Sequence, residues 1–133
     1  MKSKTIRRKY LREAALTLVA ARLAVRFVPA ARIVAWASRT PRRINRFSPE
    51  MVGWVQWAVD TVGNKSWMHA ACLPRALAAQ AMLRRRGIAS RLCLGVAREG
   101  GALSAHAWIE LGHEVVVGGG TEQLRFTRLV SFG

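Results

Sequence analysis

Acid is scarce in this sequence. Seven of its 133 residues are Asp or Glu, against 22 Lys plus Arg, for a formal charge of +15. The single aspartate is Asp60. That imbalance points to a polyanion, an anionic membrane surface or an acidic peptide as partner, without choosing between them. Cysteine is scarce too: Cys72 and Cys93 are the only two. A small secreted domain stapled by disulfides needs more, so a reducing, cytoplasmic setting is expected. No apolar run approaches the roughly 18 residues of a membrane span. Basic Lys2–Arg12 and then apolar Ala14–Ala21 superficially resemble a secretory signal. Glu13 and Arg22 bound the apolar run, and Arg26 and Arg32 interrupt the residues beyond it. The segment therefore reads as an amphipathic helix, without stable membrane insertion. Internal repeats and low-complexity stretches are also absent.

What is present is enough hydrophobic residue, 51%, to build a core. The length suits one domain better than two. Two regions differ in character: a helical N-terminal region over 1–63, and a mixed region over 64–133, expected to form one compact domain together. Thr5–Phe27 carries Leu16, Val19, Leu23 and Phe27 at helical spacing. Arg8, Arg12, Arg22 and Arg26 are interspersed and suit a solvated or partner-facing side. Pro29 should end or kink this helix. A second helix is expected over 30–38, stopped by Thr40-Pro41, with 42–47 a basic connector. Ser48-Pro49-Glu50 is a helix start, with Ser48 as cap and Pro49 in the first turn. Gly63-Asn64 should stop that third helix.

The segment 72–86 reads as a fourth helix. Pro74 is tolerated only in a first turn, so Cys72 must sit at or near its N-terminus. Arg84-Arg85-Arg86 complements the negative end of its dipole, and Gly87 ends it. Alternation then marks strands: 90–97, with Leu92, Leu94 and Val96 on one face; a turn at Glu99-Gly100-Gly101; then 103–111. In that second strand Leu103, Ala105, Ala107, Ile109 and Leu111 face one way. Ser104, His106, Trp108 and Glu110 face the other. Gly112-His113 is a turn, 114–117 a third strand, and 124–132 a short strand or irregular tail. Helices first, then a central helix and an antiparallel meander, make an α+β fold.

A cysteine that opens a helix meets free N–H groups and the positive end of the dipole. Both stabilise a thiolate. The same N–H groups can hold an oxyanion. A histidine on a neighbouring strand can serve as base and then as acid. Cys72 and His106 fit these roles. Taken singly, each fits a structural role better, since free Cys is usually a small buried hydrophobe. The order of helix-start Cys and strand His is what raises the pair. Cys93 lies mid-strand with no helix end to activate it. His69 and His113 read as solvated. Cys72 with His69 has a spacing that suits zinc, but no second ligand pair accompanies it, so no metal is expected.

Several short segments occur in order: Cys72-Leu73-Pro74-Arg75-Ala76-Leu77-Ala78-Ala79-Gln80, Leu83-Arg84-Arg85-Arg86-Gly87-Ile88, Leu94-Gly95-Val96, and Ala105-His106-Ala107-Trp108-Ile109-Glu110. In combination they resemble the transglutaminase-like leader peptidases of lasso-peptide biosynthesis, over about residues 54–120. The resemblance implies a transglutaminase-like, papain-like cysteine peptidase core preceded by N-terminal helices. It implies a peptidase that cuts the leader from a precursor peptide through Cys72 and His106, with no cofactor. Its expected partners are the precursor, a separate leader-binding protein and a lasso cyclase.

One position departs from that family. The family places an Asp on the strand after the His strand. A uniform hairpin about Gly112 would set Glu110 opposite Glu114, Trp108 opposite Val116 and His106 opposite Gly118, which has no side chain. The orienting role then falls to a backbone carbonyl, a water, Glu122 or Glu110. Glu110 is roughly 13 Å along the strand from His106, and reads more simply as solvated or Arg-paired. Trp67 could donate its indole N–H near the oxyanion, or pack at the helix entry. Trp108 could wall the cleft, or pack in the core. A basic nucleic-acid-binding domain is the alternative, because it accounts for the charge directly. It leaves Cys72 and His106 unexplained and lacks any recognition signature, so nucleic acid is not expected as a partner. Association of the first helix with a membrane surface would supplement catalysis; solvated arginines on a packed helix are the simpler reading.

Overall fold

A computed structural model describes residues 2–39, 49–65, 71–111, 114–117 and 127–132. Four helices precede four strands: α1 (Lys2–Phe27), α2 (Ala30–Ala37), α3 (Pro49–Gly63), α4 (Cys72–Arg85), β1 (Arg91–Glu99), β2 (Ala102–Leu111), β3 (Glu114–Val117) and β4 (Thr127–Phe132). The sheet order is β3-β2-β1-β4, and each pairing is antiparallel. The segment expected as strand or tail is thus a strand, and it crosses to the far side of β1.

α4 is the hub. Pro74, Ala76, Leu77, Ala78, Ala79, Gln80, Met82 and Leu83 are all buried. A helix apolar on most sides belongs in the middle of a fold. α1 and α3 pack on it from the helical side, and β2 from the sheet side. Leu92, Ala107, Ile109 and Leu111 of the sheet join the helices in one core. Gly87 ends α4 at φ 74°. Its N–H bonds Arg84 O at 2.9 Å, and the Ile88 N–H bonds Leu83 O at 2.9 Å. That is a Schellman ending, sealed by buried Ile88 and Leu83. Pro29 lies between α1 and α2, and Pro49 opens α3. Thr40, Pro41 and Ser48 lie outside the described residues.

The first helix corrects the expectation. Its buried row is Tyr10, Ala14, Leu18 and Ala21. Leu16, Val19, Leu23 and Phe27 point outward. Alanine decides this: Ala14 and Ala21 on α1, with Ala76, Ala78 and Ala79 on α4, are buried in the shared core. Small residues let two helices close to a short distance that leucine would hold open. Hydrophobicity alone favours the wrong side.

The α4 arginines also do something other than complement their own dipole. Arg86 grips Glu13 of α1 with both guanidinium nitrogens, at 2.6 and 2.9 Å. It also lies 4.4 Å over the Tyr10 ring. Arg84 donates to Trp36 O at 2.7 Å and Arg39 O at 2.7 Å, at the end of α2, while stacking on Trp36 at 4.3 Å. Gln80 Nε2 adds a bond to Ala37 O at 3.0 Å. Arg75 donates to Gly63 O at 2.9 Å and Asn64 Oδ1 at 2.8 Å, at the end of α3. Helix C-termini leave carbonyls without intrahelical donors. α4 supplies those donors to two neighbours and a bidentate clamp to the third.

Burial alone would raise the Glu13 carboxyl. The Arg86 bond and charge, with Arg85 and Lys9, outweigh it and hold Glu13 below its ordinary value of 4.5. A carboxylate depressed in the folded state stabilises the fold above its unfolded value. That contribution fades as pH falls below about 4.5 and through the lower folded value. Glu13→Gln should cost about 3 kcal/mol at neutral pH, because it leaves Arg86 buried without its anion. It should also flatten the acid end of the stability curve. Urea unfolding of both proteins at neutral and acid pH measures both effects.

Candidate functional site

Cys72 is the first residue of α4 and is half-buried against the helical core, beside Leu73. The residue before it, Ala71, is extended at φ −73° and ψ 173°, and has no side chain that could cap. The first intrahelical bond runs from Arg75 N–H to Ala71 O at 3.2 Å. Pro74 brings no N–H. The backbone N–H groups of Cys72 and Leu73 therefore have no intrahelical acceptor, and they adjoin the thiol. Arg75, three residues on, ties this end of α4 to the end of α3 and lies 4.0 Å from Asp60. Burial pushes the Asp60 carboxyl above its ordinary value, and Arg75 opposes that. Gly63 lets this arginine come close: a Cβ there would lie 3.0 Å from the Arg75 guanidinium, which would have to move by a few tenths of an ångström. Sequence reading missed Arg75 and Gly63. An arginine one turn into a helix that begins with Cys, and a glycine ending the preceding helix, were the available signals.

β1 and β2 form a two-residue hairpin through Gly100 (φ 58°) and Gly101 (φ 83°). Two consecutive positive φ values are the turn chemistry that keeps strand twist continuous. The register sets His106 opposite Gly95. The two sequence segments Leu94-Gly95-Val96 and Ala105-His106-Ala107 are thus cross-strand partners. Gly95 leaves the position beside the imidazole without a side chain. Trp108 stacks on His106, with ring centroids 6.0 Å apart and 24° between planes.

The pleat has a consequence for the pair. Ala107, Ile109 and Leu111 face the core that Cys72 adjoins. His106, Trp108 and Glu110 alternate with them and occupy the other face. The fold brings His106 and Trp108 together, and packs α4 against β2. It does not put His106 in the row of side chains that meets the helices. Trp108 is 1% exposed, so it belongs to the interior, not to an open cleft wall. Its Nε1 has no hydrogen-bond partner among the described residues. Glu110 is 7% exposed, which overturns the solvated reading. It accepts a hydrogen bond from Cys93 Sγ and sits opposite Arg91 in the register. Cys93 is buried, and no disulfide joins it to Cys72.

The β2–β3 pairing also differs from expectation. Glu110 pairs with Val115, Leu111 with Glu114 and Ile109 with Val117. Val116 is an extra residue on β3, so the uniform register that set His106 against Gly118 does not hold at this hairpin. Hairpin turns that shift register by one residue are invisible to alternation when valines run together, as Val115-Val116-Val117 do. Trp67, His69, His113, Gly118 and Glu122 lie outside the described residues. Among the described residues no group of three or more His, Cys, Asp and Glu could hold a metal ion. No helix of the described residues is long and apolar enough to cross a membrane.

A family model described as transglutaminase-like superfamily matches residues 15–131. No curated protein matches the chain, and no solved structure does. The matched span takes in every element from the middle of α1 to the end of β4, and so the whole setting of Cys72 and His106.

The two thiols differ enough to be told apart chemically. Brief iodoacetamide treatment of the native protein at neutral pH should label Cys72 and spare buried Cys93, as read by peptide mass spectrometry. Equal labelling of both would mean that the sheet does not bury Cys93.

Proposed function

Because the chain belongs to the transglutaminase-like superfamily, which includes cysteine peptidases, we propose that it is a cysteine peptidase whose nucleophile is Cys72, and that its substrate is a lasso-peptide precursor from which it removes the leader. One observation carries the reading: Cys72 opens the buried central helix at an end with no side-chain cap. Backbone N–H groups without intrahelical acceptors adjoin its sulfur there, where an oxyanion would form.

In the proposed reaction the Cys72 thiolate adds to the carbonyl carbon at the leader–core junction. The N–H groups at the start of α4 stabilise the oxyanion. His106 gives a proton to the departing amine, and the acyl-enzyme forms as the C–N bond breaks. Water, deprotonated by His106, then releases the leader as a carboxylate. Trp108 acts on His106 by stacking, as a positioning residue. The reaction requires the His106 imidazole to come within hydrogen-bond reach of Cys72 Sγ or of the leaving nitrogen. The support for His106 in this role is the order of the motif segments around Cys72 and His106, since the pleat sets His106 on the face of β2 away from the core that Cys72 adjoins. The leader-binding partner would present the precursor, and a separate cyclase would use the freed amine.

The leader assignment rests on the motif segments around Cys72, Gly95 and His106. The strong positive charge suits an acidic leader or an acidic partner face.

Incubating a lasso precursor and its leader-binding protein with this chain should yield one cut at the leader–core junction. Cys72→Ala and His106→Ala should each lower the single-turnover rate by about a thousandfold or more. Trp108→Phe should keep most of the rate, and Trp108→Ala should lose more, by releasing the imidazole. Undiminished cleavage by Cys72→Ala would sink the peptidase reading. Cleavage of unrelated peptides but not of the precursor would keep the peptidase and discard the leader.

A further inference from the structure

Seven exposed large hydrophobic residues lie together between Leu16 and Val34. Leu16 is 74% exposed, Leu23 53% and Phe27 72%, with Val19, Val25, Val28 and Val34 around them. They cover the outer side of α1's second half and continue onto α2. Beside them an apolar cavity of about 340 Å³ opens between α1, α2 and α4, lined by Ala20, Ala24, Ile33, Trp36 and Leu77 among others, with Arg32 at its edge. Exposed Arg8, Arg12, Arg26 and Arg32 flank the same surface. Residues 2–39 hold one acid, Glu13, and it is buried and bonded to Arg86. The face therefore offers apolar side chains and cations with no exposed anion among them.

We propose that this α1–α2 face is a peripheral membrane-docking surface for anionic lipid. Leu16, Leu23 and Phe27 enter the boundary between headgroups and acyl chains. The arginines reach lipid phosphates and carboxylates on their long stems. The open cavity gives the end of one acyl chain an apolar lining. A second copy of the chain is a poor occupant, because two such faces would bring like charges together. An acidic protein would answer the charge, but a bilayer answers the charge, the outward phenylalanine and the open cavity at once. The surface is independent of Cys72, and catalysis and docking can fail separately.

The test is co-sedimentation of the full chain with vesicles of phosphatidylcholine alone, and of phosphatidylcholine mixed with phosphatidylserine. Retention is expected on the mixed vesicles and little on the neutral ones, weakening as salt rises. Arg8→Gln and Arg26→Gln should each lower the partition constant about fivefold. The double variant Leu23→Ser, Phe27→Ser should lower it about tenfold or more. Cys72→Ala should bind like the native protein. Arg8, Leu23, Arg26 and Phe27 are all exposed, so thermal unfolding should move little when they are changed. If the double variant fails to fold, the arginine variants and the two vesicle compositions still decide. Native protein left in the supernatant with both vesicles overturns the proposal and leaves the face to an acidic protein. Retention unaffected by the double variant overturns it as well, by reducing the effect to charge. Dimerisation of the native protein in sedimentation, abolished by the double variant, overturns it in favour of a second copy.

Discussion

Guanidinium groups projecting from one buried helix hold the other three in place. Arg75, Arg84 and Arg86 all belong to α4 or its cap, and they reach α3, α2 and α1 respectively. Each meets carbonyls or a carboxylate on the helix it reaches. Arginine suits the task because its planar fork serves two or three acceptors at once and stays charged when partly buried. α4 itself is rich in alanine and would pack closely against almost anything. The arginines choose which helix goes where. Part of the strong positive charge is thus internal structure, and it should not be counted toward a polyanion partner.

That arrangement bears on the nucleophile. Arg75 is fixed to the end of α3, and it sits one turn from Cys72. The place where a thiolate would form is therefore set by the α3–α4 junction. At the far end of the same helix, Arg86 and the glycine ending fix the other terminus. A helix tied at both ends presents its first residue in a defined position, which is what an attacking group needs.

Much of this is legible in the sequence, and the rest is hidden for identifiable reasons. Pro29, Pro49, Pro74 and Gly87 punctuate the helices as their backbone chemistry requires, and the two-glycine turn marks the β1–β2 hairpin. Pro74 puts Cys72 at or near a helix start, and the structure makes it the first residue of α4. The buried face of α1 is hidden because alanines, weakly hydrophobic, mark the contact while leucines stay outside. Alternation reports sides and not depth, so it leaves Trp108 and Glu110 partly in solvent. β2 is buried on both sides through its second half. The arginine contacts are not legible at all, since each joins residues more than ten apart in the chain. Where His106 stands relative to Cys72 depends on the pleat, and spacing along the chain says nothing about it.

The sheet has two edges, β3 and β4, and each carries one extra residue relative to its neighbour: Val116 on β3 and Leu129 on β4. A bulge bends a strand and breaks the even row of N–H and C=O groups along it. A bent edge is a poor template for a further strand. An extended peptide lying along either edge would meet a kinked row of backbone groups, so its pairing would be broken at Val116 or Leu129.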